Sequence, residues 1–125
     1  MSDPIADLIT RIKNAKNARK EQLILPFSKF KKAVLAVMKD NGYVDSIEEK
    51  TIKDKKYLVV GIAEASITHI KRLSKPGQRI YVAKKDIPRP LRGLGLIIIS
   101  TPRGVISGKE AAKLNCGGEL ICEVW

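Results

Sequence analysis

Aromatic side chains are scarce in this chain of 125 residues: Phe, Tyr and Trp together make up 5%. A module that reads RNA by stacking bases on strand-borne rings needs more of them, which argues against an RNA recognition motif. Histidine occurs once, at His69, and cysteine twice, at Cys116 and Cys122. A closed zinc site wants four ligands and a disulfide scaffold wants more cysteine, so no metal site and no cofactor is indicated. His69 is paired with no Ser, Cys or Asp in a recognised local motif, and no catalytic residue can be assigned. The glycines form neither a dinucleotide fingerprint nor a phosphate-binding loop, and the Gly-x-x-Gly clamp of a KH module is missing. No apolar run approaches the ~18 residues of a membrane span, and no basic-apolar-small segment opens the chain. The expected setting is therefore reducing and cytoplasmic, with no membrane partner.

Positive charge is what the chain has in excess. There are 24 Lys and Arg against 13 Asp and Glu, a formal net charge of +11. It is spread evenly, +5 over residues 1–62 and +6 over residues 63–125, so no separate basic tail exists. Such a field favours a polyanion, and nucleic acid is the commonest partner. With 44% apolar residues the chain has enough hydrophobic material to fold despite its charge.

The patterning divides the chain near residue 65, giving modules 1–65 and 66–125. Asp3-Pro4 reads as a cap and a first-turn proline, and Ile5, Leu8, Ile9 and Ile12 recur at helical spacing, predicting a helix from about Pro4 to Ala18. Gln22 to Leu25 is a short strand stopped by Pro26. Ser28 then caps a second helix, with Phe30, Ala33, Val34, Val37 and Met38 on one face and Gly42 at its end. Strands over Ser46 to Lys53 and Tyr57 to Ile62, joined by Asp54-Lys55-Lys56, complete an α-β-α-β-β module. Beyond it, strands over Ile67 to Arg72 and Arg79 to Val82 flank a turn at Ser74-Lys75-Pro76-Gly77. Asp86-Ile87-Pro88-Arg89-Pro90 is a tether, because two prolines remove donors and fix φ. The strand Leu94 to Ile99, a loop from Ser100 to Gly104, a short helix capped by Ser107 and a strand running to Trp125 follow. The fold class is α+β, an N-terminal α-β-α-β-β module packed on a C-terminal, mostly antiparallel β module with one short helix.

The most distinctive chemistry lies in Ser100-Thr101-Pro102-Arg103-Gly104. Hydroxyls, a guanidinium and a glycine that admits close backbone approach suit phosphate, ribose hydroxyl and base edge together. Among the few aromatics, Tyr81 is placed to meet a base, on a short strand between Arg79 and Lys84, whereas Phe27, Phe30, Tyr43, Tyr57 and Trp125 read as core or rim. What this leaves is recognition of a structured, mostly double-helical RNA through a shallow minor groove. A basic assembly or nucleoid-type protein that binds duplexes by charge alone is the alternative.

Asp3-Pro4-Ile5-Ala6-Asp7, Thr10-Arg11-Ile12-Lys13-Asn14-Ala15, Ser74-Lys75-Pro76-Gly77, Gly93-Leu94-Gly95, Ser100 to Val105 and Gly117-Gly118-Glu119 occur in this order along the whole chain. In these blocks the sequence resembles the family of the eighth protein of the bacterial small ribosomal subunit. The resemblance implies a primary binder of small-subunit ribosomal RNA that grips an irregular stem of the central domain and helps organise the platform. Partners implied with it are the fifth and twelfth small-subunit proteins and, as a mimic of that stem, the messenger of the protein's own operon. The protein would sit as a monomer within a cytoplasmic or plastid ribosome. By the same resemblance, RNA is met by Ser100, Thr101, Arg103 and Gly104, with Tyr81, Glu119 and Lys75 beside them. Thr10, Arg11, Asn14, Ser28 and Lys29 match the family's N-terminal RNA face. Two departures stand out: Pro102 replaces a serine of the family's usual Ser-Thr-Ser loop, and Gly108 replaces an acid before the short helix.

Overall fold

The structure, a computed structural model, describes residues 4–64 and 66–125. Contacts divide the chain into two compact units, Met1–Ser66 and Ile67–Trp125. The architecture is mixed α and β, with helices and strands in the first unit and an antiparallel sheet with one short helix in the second.

In the first unit, α1 (Pro4–Asn17), β1 (Gln22–Pro26), α2 (Lys29–Asp40), β2 (Ser46–Ile52) and β3 (Lys55–Gly61) follow one another. Helix α1 buries Ile5, Leu8, Ile9, Ile12 and Ala15, the stripe that its spacing predicts. The Asp3 cap lies outside the described residues. Helix α2 starts where the Ser28 Oγ accepts the Lys31 amide at 3.3 Å, and Gly42 at φ +83° ends the turn beyond it. Its buried face is Lys31, Val34, Leu35, Val37 and Met38, so Phe30 and Ala33 are only partly covered. The sheet has the order β1-β3-β2, antiparallel throughout, and the central strand β3 buries Leu58, Val59 and Val60. The hairpin between β2 and β3 is tighter than expected: Lys53 and Asp54 alone turn the chain, both left-handed at φ +50° and +65°, while Lys55 and Lys56 belong to β3. That mirror-image turn matches the twist of paired strands, which is why two residues suffice.

The second unit holds β4 (Ile70–Arg72), β5 (Tyr81–Val82), β6 (Leu96–Thr101), β7 (Gly104–Ser107), α3 (Gly108–Lys113) and β8 (Gly118–Val124). Strand β8 is its axis, pairing with β6 along one edge and with β4 and β5 along the other, while β7 adds to the far side of β6. Ile97, Ile99, Ala111 and Leu120 form a buried core, with Leu73, Ile80, Val82, Ile87 and Ile106 packed around it.

Two strands are shorter than their sequence suggests and a third starts two residues later, because amides that could have joined a ladder are used elsewhere. Thr68 and His69 both donate to the Trp125 carbonyl at 2.7 Å, so β4 starts only at Ile70. The Ile80 amide goes to the Ser74 hydroxyl at 2.9 Å, leaving β5 with two residues. Leu94 and Gly95 return their amides to Leu91 and Pro90, delaying β6 to Leu96.

Candidate nucleic-acid interface

The stretch expected as a loop from Ser100 to Gly104 is a tight hairpin. Ser100 and Thr101 finish β6, Gly104 opens β7, and only Pro102 and Arg103 turn the chain. Proline holds φ near −65°, which excludes the left-handed turn residues of most two-residue hairpins. The left-handed position falls instead on Gly104, at φ +110°, and a Cβ there would meet nothing within 4 Å. Thr101 locks the hairpin: its Oγ1 accepts the Arg103 amide at 3.0 Å and donates to the Gly104 carbonyl at 2.9 Å. The Thr101 hydroxyl therefore serves the turn. Among the described residues the Ser100 hydroxyl has no such bond, and Arg103 and Gly104 are exposed.

Register then brings distant residues into one row. Ser100 lies opposite Val105 on one side and Glu119 on the other, and Glu119 lies opposite Tyr81. Directly opposed residues point to the same face, so Ser100, Glu119 and Tyr81 line up across three strands. A bulge sets this alignment. Ile98 pairs with Cys122 but Ile99 with Leu120, leaving Ile121 as the extra residue on β8. Unbroken pairing from Cys122 would have put Leu120 opposite Ser100. Close backbone packing supports the row, since a Cβ on Gly118 would collide with the Ser100 carbonyl and one on Gly117 with the Val82 carbonyl.

Charge within the row is balanced. Glu119 is 13% exposed at its side chain and would be costly there alone, but the Arg79 guanidinium donates to it at 3.1 Å. Tyr81 stands beside this pair with 70% of its surface open. Lys75 is exposed on the preceding turn, where Lys75 and Gln78 bond reciprocally at 3.0 and 2.9 Å and the buried Ser74 hydroxyl anchors Ile80. Gly108 is buried: a Cβ would sit 3.0 Å from Ile87 and 3.2 Å from Ile97, so α3 packs closer than a side chain there would allow.

The other site residues expected from sequence belong to the first unit. Thr10, Arg11 and Asn14 are exposed on α1, with Thr10 and Asn14 one turn apart. Arg11 is held in place: its Nε meets Asp7 at 3.1 Å and its Nη1 donates to the Ile24 carbonyl at 3.3 Å. Asp7 also receives the nearly buried Lys31 ammonium at 3.0 Å, tying α2 to α1. The Lys31 hydrogen bond is the main reason the Asp7 carboxyl lies below its ordinary pKa; partial burial opposes it, and Arg11 adds to it. Ser28 caps α2, and Lys29 beside it is exposed. Periodicity gave no sign of the Lys31 pairing, the Arg79 to Glu119 contact or the bulge at Ile121.

His69 is absorbed by the fold. Its ring stacks on Trp125 with centroids 3.9 Å apart, and Nε2 lies 3.2 Å from Glu123. Among the described residues no group of three His, Cys, Asp or Glu could hold a metal, and no helix is long and apolar enough to cross a membrane.

Fold and site define a small basic α+β protein that presents an ordered row of polar side chains on a sheet and a rigid cationic hairpin beside it. Comparison with known proteins gives the family. Residues 3–125 match the family described as Ribosomal protein S8. The small ribosomal subunit protein uS8 of Thermus aquaticus is 44% identical, over 100% of this chain and 99% of its own length. Its counterpart in Clostridium kluyveri is 45% identical over 100% and 98%, and that of Kosmotoga olearia 44% identical over 99% and 98%. The chain belongs to the ribosomal protein S8 family, a family of structural ribosomal proteins and not of enzymes.

Proposed function

We propose that the protein is an RNA-binding constituent of the small ribosomal subunit, which grips an irregular stem in the central domain of small-subunit ribosomal RNA and helps assemble the platform. The observation that carries this reading is the row Ser100, Glu119 and Tyr81 beside the hairpin turn at Pro102 and Arg103. A wide, shallow minor groove displays 2′-hydroxyls and base edges, and an irregularity splays a base outward. The Ser100 hydroxyl is open to a ribose or base edge, and Tyr81 offers a ring to the splayed base. Glu119, neutralised by Arg79, presents an oxygen to an amino or hydroxyl donor without repelling the backbone. Arg103 and Lys75 face phosphate, and Gly104 lets the RNA approach the main chain. Thr10, Arg11, Asn14, Ser28 and Lys29 add contacts from the first unit, while specificity resides mainly in the second. On the same reading the fifth and twelfth small-subunit proteins are neighbours, the chain is a monomer within a cytoplasmic ribosome, and a stem mimic in its own operon messenger is a second ligand.

Footprinting on naked small-subunit RNA, followed by salt titration on the isolated stem, tests the proposal. Protection should fall on one irregular stem, and log affinity should fall with log salt by roughly 0.9 per phosphate neutralised. Repairing the irregularity to perfect pairing should abolish the preference over bulk duplex. Equal binding to repaired stem, native stem and duplex DNA at every salt concentration would favour a protein that binds duplexes by charge alone.

A further inference from the structure

Of the asparagines in the chain, at positions 14, 17, 41 and 115, only Asn41 is followed by glycine. The pair lies at the C-terminal end of α2, and both residues are exposed. The turn requires Gly42: the chain is left-handed there at φ +83°, the Gly42 amide donates to the Lys39 carbonyl at 3.1 Å and the Tyr43 amide to the Met38 carbonyl at 2.8 Å. These two bonds close the helix in the way that calls for glycine. The Asn41 side chain joins them, its Nδ2 donating to the Val37 carbonyl at 2.8 Å. Asn41 itself stands at φ −105° and ψ +10°, which turns the Gly42 nitrogen away from the Asn41 side chain.

We propose that Asn41-Gly42 is a covalent modification site, a deamidation point that the folded end of α2 keeps closed and that opens when this turn unwinds. The glycine that ends the helix is also what makes the site reactive, since with no Cβ beside it the Gly42 nitrogen admits a close approach. In the reaction that nitrogen attacks the Asn41 side-chain carbonyl carbon. A new N–C bond forms, and Nδ2 leaves as ammonia together with the amide proton. Water then opens the cyclic imide at either carbonyl, giving aspartate or isoaspartate, with nothing oxidised or reduced. In the folded chain each reacting group is committed elsewhere: the Gly42 proton to Lys39, Nδ2 to Val37, and the Cα–C bond of Asn41 to a rotation that must change before the ring can close. Helix ends open locally more readily than cores, so the site answers to unwinding of this turn. The products do not fit the turn they came from. Aspartate has no donor for the Val37 carbonyl and sets a negative charge at the negative end of the helix. Isoaspartate inserts an extra carbon into the backbone and displaces the amides of Gly42 and Tyr43. The chain thus keeps a covalent record of time spent unfolded, written at a cap it needs in order to refold.

The test ages the full chain at pH 8, native in one arm and in concentrated guanidinium chloride in the other, and follows the tryptic peptide of residues 40–50 by mass spectrometry. Acid should form at Asn41 in the denatured arm at least about tenfold faster than in the native arm, the factor that even a modest free energy of local opening imposes. Asn14, Asn17 and Asn115, each followed by a residue that has a side chain, should remain amides over the same time. Gly42→Ala should suppress the reaction in denaturant, where folding plays no part. Chains aged in denaturant and then refolded should melt at a lower temperature than unaged chains carried through the same steps. Equal rates in the two arms, no acid at Asn41 in denaturant, or equal reaction at every asparagine overturns the inference. So does an unchanged Tm in refolded chains whose Asn41 is shown to be converted.

Discussion

Replacing Gly118 by alanine tests the close packing on which the row of polar side chains depends. A Cβ there would collide with the Ser100 carbonyl oxygen and lie 2.9 Å from its carbon and 3.2 Å from the Thr101 Cα. All three are backbone atoms, so no side chain can swing aside and β6 must separate from β8 where Ser100 meets Glu119. Overpacking costs typically 1–3 kcal/mol, and an immovable neighbour puts this site at about 2–3 kcal/mol. For a chain of this size each kcal/mol is worth about 4 °C, giving a fall in Tm of about 8–12 °C. Two controls separate collision from backbone strain. Gly104→Ala meets no atom within 4 Å but must hold φ +110°, so it should cost about 1 kcal/mol. Gly77→Ala meets neither obstacle and should be nearly neutral. Thermal unfolding followed by circular dichroism and stem affinity measured in parallel give the readout, with Gly118→Ala losing most in both. If Gly118→Ala melted within a degree or two of the parent and bound the stem equally well, the approach of β8 to Ser100 would be wrong.

Asp7→Asn leaves the nearly buried Lys31 ammonium without its carboxylate; discounted for the exposure of Asp7, the cost should be about 1–2 kcal/mol, read by urea unfolding at neutral pH. Because the folded pKa of Asp7 is lowered, its contribution is present above the unfolded value near 4 and is lost as pH falls through the folded value, so the gap between parent and Asp7→Asn should close in acid. Ser100→Ala should weaken stem binding by about 1 kcal/mol, roughly fivefold, with no change in Tm, whereas Arg103→Ala should reduce the salt slope by about one phosphate. Burial, and after it the Glu123 charge, push the Cys122 thiol up to about 12, so in folded protein at pH 8 iodoacetamide should label the partly exposed Cys116 and spare Cys122. Labelling of both at equal rates would contradict the buried position of β8.

What the sequence made legible was whatever depends on neighbours along the chain. The buried stripe of α1, the Ser28 and Ser107 caps and the turn at Pro76-Gly77 all follow from local chemistry. Strand lengths did not, since the amides of Thr68, His69 and Ile80 are claimed by partners six or more residues distant. The hairpin at Pro102-Arg103 is not legible, because Val105 and Ile106 form too short an apolar run to announce a strand before the Ser107 cap. Ser100 and Tyr81 were visible as residue types suited to RNA, but their common face arises from Ile121 being the odd residue in β8, and a bulge leaves no mark in composition or periodicity. Arg11, Thr101 and Glu119 look like free polar groups in a sequence, yet each is already engaged within the fold.

The axial place of β8 also governs when the row can exist. Residues 118–124 follow every strand they pair with, and β4 lies about fifty residues upstream of its partner positions. During synthesis the first unit has all its strand partners early and the β6–β7 hairpin can close on itself, while β4, β5 and the other edge of β6 must wait for β8 to emerge. A nascent chain cut short before Gly118 would already carry all 24 Lys and Arg, but Ser100 and Tyr81 would share no face. On the RNA-binding reading proposed above, attraction to polyanions precedes discrimination, which waits for β8.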